Sequence, residues 1–540
     1  MNVGGPLADF GASITGGAVE APAFAYDALP YRSLPYEQTQ PARMAANAIL
    51  FGATPPAIET ARVLELGCAS GGNLIPLAVR FPDSTFIGVD LSQRQIHQGH
   101  QQIQLLELSN IKLLHGDLAI IDLGDQRFDY IICHGVFSWV DHGTQEAIFR
   151  ICSEQLVDNG IAHISYNVLP GWHLRNIVRD ICRHHASEDL LPTERVTRAR
   201  WILDQVSRVS PEASNFGRVL RNEAGILSKL PDSYILSEFL AIDNSPIQFT
   251  DFSNRAAAHD LTFLCEAEIA QSIPESLGPD QATMLRTIAG PSGTALEQYM
   301  DFFTGRPFRR SLLVKRDFAV SLKRGLTPDR LVSLHFSSSL SADAQASGEG
   351  NWVFKDDRFV VTTNDPVLAG LFTALADASP ETMTIAQIET AIATKSSAAT
   401  ARVALLEGAI RDAAFNAITS GRITASLVPL MVGRADADRP TAWRLARLQA
   451  ASEQAWGSGL HHRAVALSPT TRLLLHLLDG SRDREKLRND LVDHLRRGVS
   501  NVELLEPGEG DLSKLDQIDD GIIGRALLFL QRHALLEPVH

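Results

Sequence analysis

The chain has 540 residues, 45% of them hydrophobic and 21% charged, with a formal net charge of −14. That length exceeds what one hydrophobic core can organise and predicts three or four domains. The acidic balance disfavours a nucleic-acid partner, because phosphate binding is carried by Lys and Arg; it would suit a cationic substrate, although most such charge only keeps a surface solvated.

Residues 1–22 are rich in Gly, Ala and Ser and read as a flexible tail. They lack the basic start and apolar stretch of a signal peptide, and no apolar run approaches the ~18 residues of a membrane span. Cys68, Cys133, Cys152, Cys182 and Cys265 are scattered without CxxC pairs, which points to a reducing compartment and no metal site. A cytoplasmic location is expected.

From 23 to 187 the pattern alternates strand and helix, as in a doubly wound α/β domain. Strands are expected at Arg62–Leu66, Thr85–Val89, Ile111–Leu114, Phe128–Cys133 and Ile161–Tyr166, the last entered through an Asn-Gly turn. Helices are expected over Leu74–Phe81, from a Ser92 cap to about Leu108, and from about Leu174 to His184. The region 188–316 is first helical, with Leu, Ile and Val at three-and-four spacing to about Leu240. It then supplies Leu261–Cys265 and Phe308–Lys315, expected to be the closing hairpin of the sheet. Residues 188–256 would then form a lid over the cofactor domain, with a separate helical domain as the alternative.

Two helix-rich, winged-helix-like units are expected over 317–430 and 431–540. In the first, the strand Leu331–Phe336 and the hairpin Trp352–Thr363 flank the polar, mobile-looking loop "SSSLSADAQASGEG", with helices near Val367–Ala376, Ile385–Ala393 and Ala398–Thr419. In the second, helices are expected at Thr470–Leu478, Asp483–Arg496 and Gly521–His533. A winged helix need not touch DNA, and this acidic chain favours protein contacts.

The chemistry concentrates in "VLELGCASGGNLIPLA", residues 63–78. Its glycines allow a sharp turn and close backbone approach to a ligand. Gly67 to Gly72 reads as G-x-A-x-x-G, a dinucleotide fingerprint, and Glu65 to Gly71 reads as E-x-G-x-A-x-G, a methyl-donor loop. Asp90, closing the second strand, suits ribose hydroxyls in either reading. Glu65, placed for the amino-acid end of a donor, and Asp117 in "HGDL", placed for an adenine amine, favour S-adenosylmethionine. Asp117 as a turn residue and Asp90 as a helix cap are the plainer alternatives. The candidate donor-binding set is Glu65, Gly67, Ala69, Gly71, Asn73, Asp90, Leu91, Asp117, Leu118 and His134, with Tyr26 and Tyr36 from "YDALPYRSLPYEQ" crossing the site. A small Ala69 side chain fits beside the donor if the backbone there avoids positive φ.

Taken with "CHGVFSWV", "SYNVLPGWH", "EQYMDFFTGRPFRRSLL" and "LLDGSRDREKL", the sequence resembles the class I S-adenosylmethionine-dependent methyltransferases that carry a methyltransferase regulatory domain. The best-known members are the rickettsial protein lysine methyltransferases acting on outer-membrane proteins. The resemblance implies a seven-stranded Rossmann-like core, a helical middle domain and a C-terminal winged-helix region. It also implies S-adenosyl-L-methionine as cofactor and a protein substrate such as an outer-membrane or other surface protein. Gln40 departs from the histidine that the group often carries there, which removes an imidazole from consideration at that place.

Transfer from a sulfonium to a lysine requires alignment, exclusion of water and a neutral amine. With an ammonium pKa of ~10.4, deprotonation near pH 7.5 costs roughly 4 kcal/mol, which desolvation and a nearby base can offset. Tyr166, Asn167, His134 and Trp139 are the catalytic candidates, with Phe137 helping to shape a slot. The alternatives are backbone satisfaction for His134 and helix-entry turn chemistry for Tyr166 and Asn167. No Pro-Pro-aromatic or Pro-Cys motif follows the fourth strand, which argues against adenine-N6 or cytosine-C5 DNA methylation. The rival functions are a small-molecule methyltransferase and a donor-binding regulator without catalysis.

Overall fold

The computed structural model describes residues 31–538, apart from 323–324, 349, 396–402, 453 and 497–519. Tyr26 and the expected tail lie outside the described residues.

A helix, α1 (Pro41–Leu50), precedes an alternation of β1 (Arg62–Leu66), α2 (Leu74–Arg80), β2 (Thr85–Asp90), α3 (Gln93–Leu105), β3 (Ile111–His115), β4 (Phe128–Cys133), α4 (His142–Gln155) and β5 (Leu156–Asn167). The Ser92 hydroxyl accepts from the Gln95 N–H and starts α3 as a cap should. The strands of this core are buried on both faces, as parallel strands between helical layers must be. Leu64, Ile131 and Cys133 pack to one side, and Val63, Tyr130 and Ile132 to the other.

After α5 (Trp172–His185) come α6 (Pro192–Val209), α7 (Asn215–Leu227) and α8 (Asp232–Phe239), which share an apolar core of their own with α5, including Val178, Leu203, Leu220 and Phe239. α9 (Phe249–Ala258) leads into β6 (Leu261–Glu266), and α10 (Pro279–Ala289) and α11 (Gly293–Thr304) separate β6 from β7 (Phe308–Lys315). The sheet has seven strands in the order β3-β2-β1-β4-β5-β7-β6, and β7 runs antiparallel to both its neighbours. The closing hairpin expected from the two late strand-like segments is therefore present, with its two helices inserted.

β5 corrects the sequence reading. It begins at Leu156 rather than Ile161, so Asn159-Gly160 sits within a strand instead of a turn. The pairing with β4 slips between Phe128 and Tyr130, and this irregularity absorbs the residues that look like a turn.

A buried charge network ties the closing strands to the inserted helices. The Arg309 guanidinium donates to Asp301 at 2.8 Å, Glu266 at 2.8 Å and Glu297 at 3.0 Å, and lies 4.2 Å from the Phe249 ring centre. Ser311 donates to Glu266 at 2.8 Å, and the Tyr166 hydroxyl lies 3.1 Å from Ser311. Burial pushes the Glu297 carboxyl up to about 7 despite Arg309, so the three acids need not all carry charge beside one guanidinium.

α12 (Arg316–Ser321) opens the C-terminal half. There β8 (His335–Ser337), β9 (Ser341–Ala342), β10 (Trp352–Lys355) and β11 (Val360–Thr363) precede α13 (Pro366–Ala378), β12 (Met383–Thr384), α14 (Ile385–Lys395), α15 (Val403–Thr419) and β13 (Thr424–Ser426). The stretch expected as a strand at 331–336 is a short 3-10 turn, Pro328–Leu331, followed by β8. Part of the polar loop pairs with β10 as β9. The last unit contains α16 (Arg444–Ala451), the hairpin β14 (Trp456–Ser458) and β15 (Ala464–Ala466), then α17 (Pro469–Leu477), α18 (Arg484–Arg496) and α19 (Asp520–Arg532). One apolar cluster runs from Ile75, Ile132 and Leu312 of the sheet domain into Trp443, Leu474 and Leu527 of this unit. No helix among the described residues is long and apolar enough to cross a membrane.

Candidate active site

The loop after β1 is shaped by positive φ at Gly67 (78°), Ala69 (51°) and Gly71 (76°). A Cβ on Gly67 would stand 2.2 Å from Val136 Cγ2, so that position admits only glycine. Ala69 overturns the expectation that its backbone avoids positive φ. The left-handed conformation costs a non-glycine residue about 1 kcal/mol, but it aims the Ala69 N–H at Asp90 Oδ2, 2.7 Å away. This charge-assisted bond offsets the strain. Asp90 Oδ1 accepts from the Ser92 N–H at 2.8 Å, so Asp90 organises both the glycine loop and the entry to α3.

Glu65 is buried behind the loop. Its Oε1 accepts from Asn73 Nδ2 at 2.8 Å, and its Oε2 is buried without a hydrogen-bond partner. Burial raises the carboxyl from its ordinary 4.5 to about 8, the Asn73 hydrogen bond pulls it down, and the nearby Asp90 charge raises it further. A buried carboxyl oxygen left without a protein partner at the carboxyl edge of a parallel sheet fits the ammonium of a methyl donor's amino-acid end. Because the fold raises this pKa, its preference for the protonated form is fully expressed below about pH 4.5 and lost as pH rises through about 8. The ligand-free protein and a Glu65→Gln variant should therefore melt together near pH 4, with the wild type falling progressively below the variant as pH rises to about 8. Parallel melting curves across that range would refute the assignment.

Asp117 follows β3, and its Oδ1 accepts from the Ala119 N–H at 2.9 Å, the turn role weighed for it above. Leu118 is buried against Ile121, and the Leu91 carbonyl lies 3.0 Å from His115 Nε2. The segment 31–40 crosses the loop. The Gly72 N–H donates to Ser33 Oγ at 2.8 Å, and a Cβ on Gly72 would meet the Ser33 carbonyl oxygen at 2.1 Å. Tyr36 lies against His134 with ring centres 4.3 Å apart, and Phe308 meets the same imidazole edge-on at 6.3 Å. Burial holds both His134 and His163 well below the usual imidazole range, so neither brings a positive charge to a site built for a sulfonium.

The structure separates two residues that sequence reasoning paired. Asn167 ends β5 at the sheet's carboxyl edge. Its backbone N–H donates to Ser138 Oγ at 2.8 Å, and its side chain donates to Asn244 Oδ1 at 3.0 Å. Tyr166, expected to touch substrate, points to the opposite face, 1% exposed and stacked on Phe252 at 3.9 Å. Strand alternation forces this, since neighbours along a strand face opposite sides. Tyr166 belongs to the core beside the Arg309 network. Trp139 packs edge-on to Trp172, with the Arg179 guanidinium 5.4 Å from its ring.

Sequence reasoning missed two contributors. Tyr234 of α8 places its ring centre 6.3 Å from that of Tyr31, so the helical region reaches the crossing segment. His462, in the β14–β15 hairpin, places Nε2 2.8 Å from Asn73 Oδ1.

A seven-stranded sheet with a reversed β7, a glycine loop after β1, an acid closing β2 and a buried acid with one oxygen left unpaired define an S-adenosylmethionine-dependent methyltransferase. Family models agree: a methyltransferase domain matches residues 63–160, a predicted methyltransferase regulatory domain 231–315, and the PKMT C-terminal winged helix domain 438–535. An uncharacterized protein of Rickettsia prowazekii is 29% identical over 88% of this chain and 86% of its own length. A second from that organism is 36% identical over 43% of this chain and 93% of its own length. PKMT2 from Rickettsia typhi, solved in complex with AdoHcy, superposes with a TM-score of 0.83 at 24% identity, covering 94% of this chain and all of that one. The chain belongs to the S-adenosylmethionine-dependent methyltransferases that combine a methyltransferase regulatory domain with a PKMT-type winged helix.

Proposed function

We propose that the protein transfers methyl groups to lysine side-chain amines of a protein substrate. The observation that carries this reading is the PKMT winged helix domain over 438–535, whose apolar core is continuous with that of the methyltransferase domain. A small-molecule enzyme needs only a pocket, whereas this chain builds its whole C-terminal half into the catalytic body.

S-adenosylmethionine supplies the electrophilic methyl group. Gly67, Ala69 and Gly71 shape the loop that would hold it, Asp90 would take ribose hydroxyls, and Glu65 would take the amino-acid end. His134, Tyr36 and Phe308 form an aromatic wall that desolvates an incoming amine and so favours its neutral, nucleophilic form. Asn167 and Trp139 flank the acceptor side, and Asn167 is held by Asn244 from the helical region. The domain boundaries 23–187, 188–316, 317–430 and 431–540, and a cytoplasmic location, belong to the same proposal.

Incubating the enzyme with labelled donor and a bacterial lysate, followed by mass spectrometry of the protein fraction, is expected to show methylated lysine. Label confined to small molecules would instead support the small-molecule reading. An Asn167→Ala enzyme is expected to lose about 10-fold or more in turnover while binding donor normally, as expected for a residue that orients the acceptor.

A further inference from the structure

The β14–β15 hairpin is the wing of the C-terminal winged helix, and its tip packs against the crossing segment and the residues behind the glycine loop. Four successive tip residues contact the core. The Leu460 carbonyl accepts from Arg80 at 3.2 Å, and the His461 carbonyl accepts from Gln40 Nε2 at 3.1 Å. His462 Nε2 meets Asn73 Oδ1 at 2.8 Å, and Arg463 pairs with Glu37, which also holds Arg43 at 2.9 Å. His462 is 2% exposed and holds φ at +62°, a conformation that costs a non-glycine residue about 1 kcal/mol. Strain retained at a tip that could have used glycine points to a role for the side chain.

The surrounding bonds fix the chemistry of that side chain. The Tyr36 backbone N–H reaches Asn73 Oδ1 at 3.1 Å and can only donate, so the amide oxygen faces it and the NH2 faces Glu65. Oδ1 also lies 2.9 Å from Thr39 Oγ1, but that hydroxyl has a second acceptor in the Tyr36 carbonyl at 2.7 Å, which leaves a lone pair of Oδ1 to accept from His462 in the neutral tautomer carrying hydrogen on Nε2. Burial holds this imidazole at about 3, so it is neutral throughout the physiological range. Asn73 thus joins three parts of the chain: the crossing segment through Tyr36, the wing through His462, and the donor site through Glu65.

We propose that His462 is a positioning residue for the methyl donor: it locks the Asn73 amide, and through it Glu65, so that donor binding depends on a docked C-terminal wing. The inference rests on donor binding alone and is indifferent to what is methylated. It also gives the wing an intramolecular task in place of a nucleic-acid contact.

The test titrates the full-length protein with S-adenosylhomocysteine by calorimetry. His462→Phe keeps a flat ring without the N–H and should weaken binding about 10-fold, whereas His462→Gln, which restores an N–H donor, should stay within about 3-fold of wild type. In an Asn73→Ala background, His462→Phe should cost nothing further, because the two act through one bond. Unfolding at the wild-type temperature is the folding criterion. Should the Phe variant fail it, His462→Ala titrated with and without added imidazole decides, recovery of affinity being the expected result. Wild-type affinity in the Phe variant, equal losses in folded Phe and Gln variants, additive losses with Asn73→Ala, or no recovery with imidazole would each overturn the proposal. Lysine methylation is read separately by mass spectrometry, so either conclusion can fail without the other.

Discussion

Asp90→Ala is expected to weaken S-adenosylhomocysteine binding by about 100-fold or more, on the order of 3 kcal/mol. Two losses combine in this variant. The carboxylate proposed to take the ribose hydroxyls disappears, and the Ala69 and Ser92 N–H groups lose their acceptor at 2.7 and 2.8 Å. Ala69 then holds a left-handed backbone with nothing to offset it, so the loop relaxes away from its binding shape. Calorimetric titration with circular dichroism as a folding control checks the prediction. Binding within 3-fold of wild type would show that Asp90 only braces the loop and the entry to α3.

Arg309→Met is expected to destabilise the folded chain by about 3–5 kcal/mol, because removing one partner of a buried ion cluster leaves the others uncompensated. Asp301 and Glu266 are fully buried, and Arg309 is their closest cation, at 2.8 Å from each. Arg306 approaches Asp301 at 3.3 Å but is a poor substitute, since its Nη1 already lacks a partner. The loss should appear as a lower melting temperature and poor soluble yield. Adding Glu266→Gln and Asp301→Asn to the same chain should recover much of it, since neutral amides tolerate burial better than unpaired carboxylates. A Met variant that melts with the wild type would mean the cluster contributes nothing net.

The parts of the site legible in the sequence are those set by local spacing. Glu65, Gly67 and Gly71 are two to six positions apart on a strand and its loop, and Asp90 closes the very next strand, so the chain itself delivers them to one edge. Even there the backbone at Ala69 was misjudged, because its reason lies 21 residues away on Asp90. The Tyr166 assignment needed only strand alternation: Ala162, Ile164 and Tyr166 form one apolar face, and His163, Ser165 and Asn167 the other. The wing was illegible for a different reason. Its strands have three residues each, too few to show alternation, and His462 acquires its role only from Asn73, 389 positions earlier. The "EQYMDFFTGRPFRRSLL" segment shows the same limit. Nothing in its local spacing shows that Glu297, Asp301 and Arg309 meet inside the protein with Glu266 of β6.

The strand order also governs how this polypeptide is made. β5 ends at Asn167 and its neighbour β7 begins only at Phe308, so a nascent chain exposes that strand edge throughout synthesis of the helical region. At typical translation speeds the interval is on the order of ten seconds. An open edge flanked by Ile161, Ile164 and Leu156 is a template for unwanted pairing over that time. A message cut short before β7 is complete at Lys315 yields a product that cannot close its own sheet.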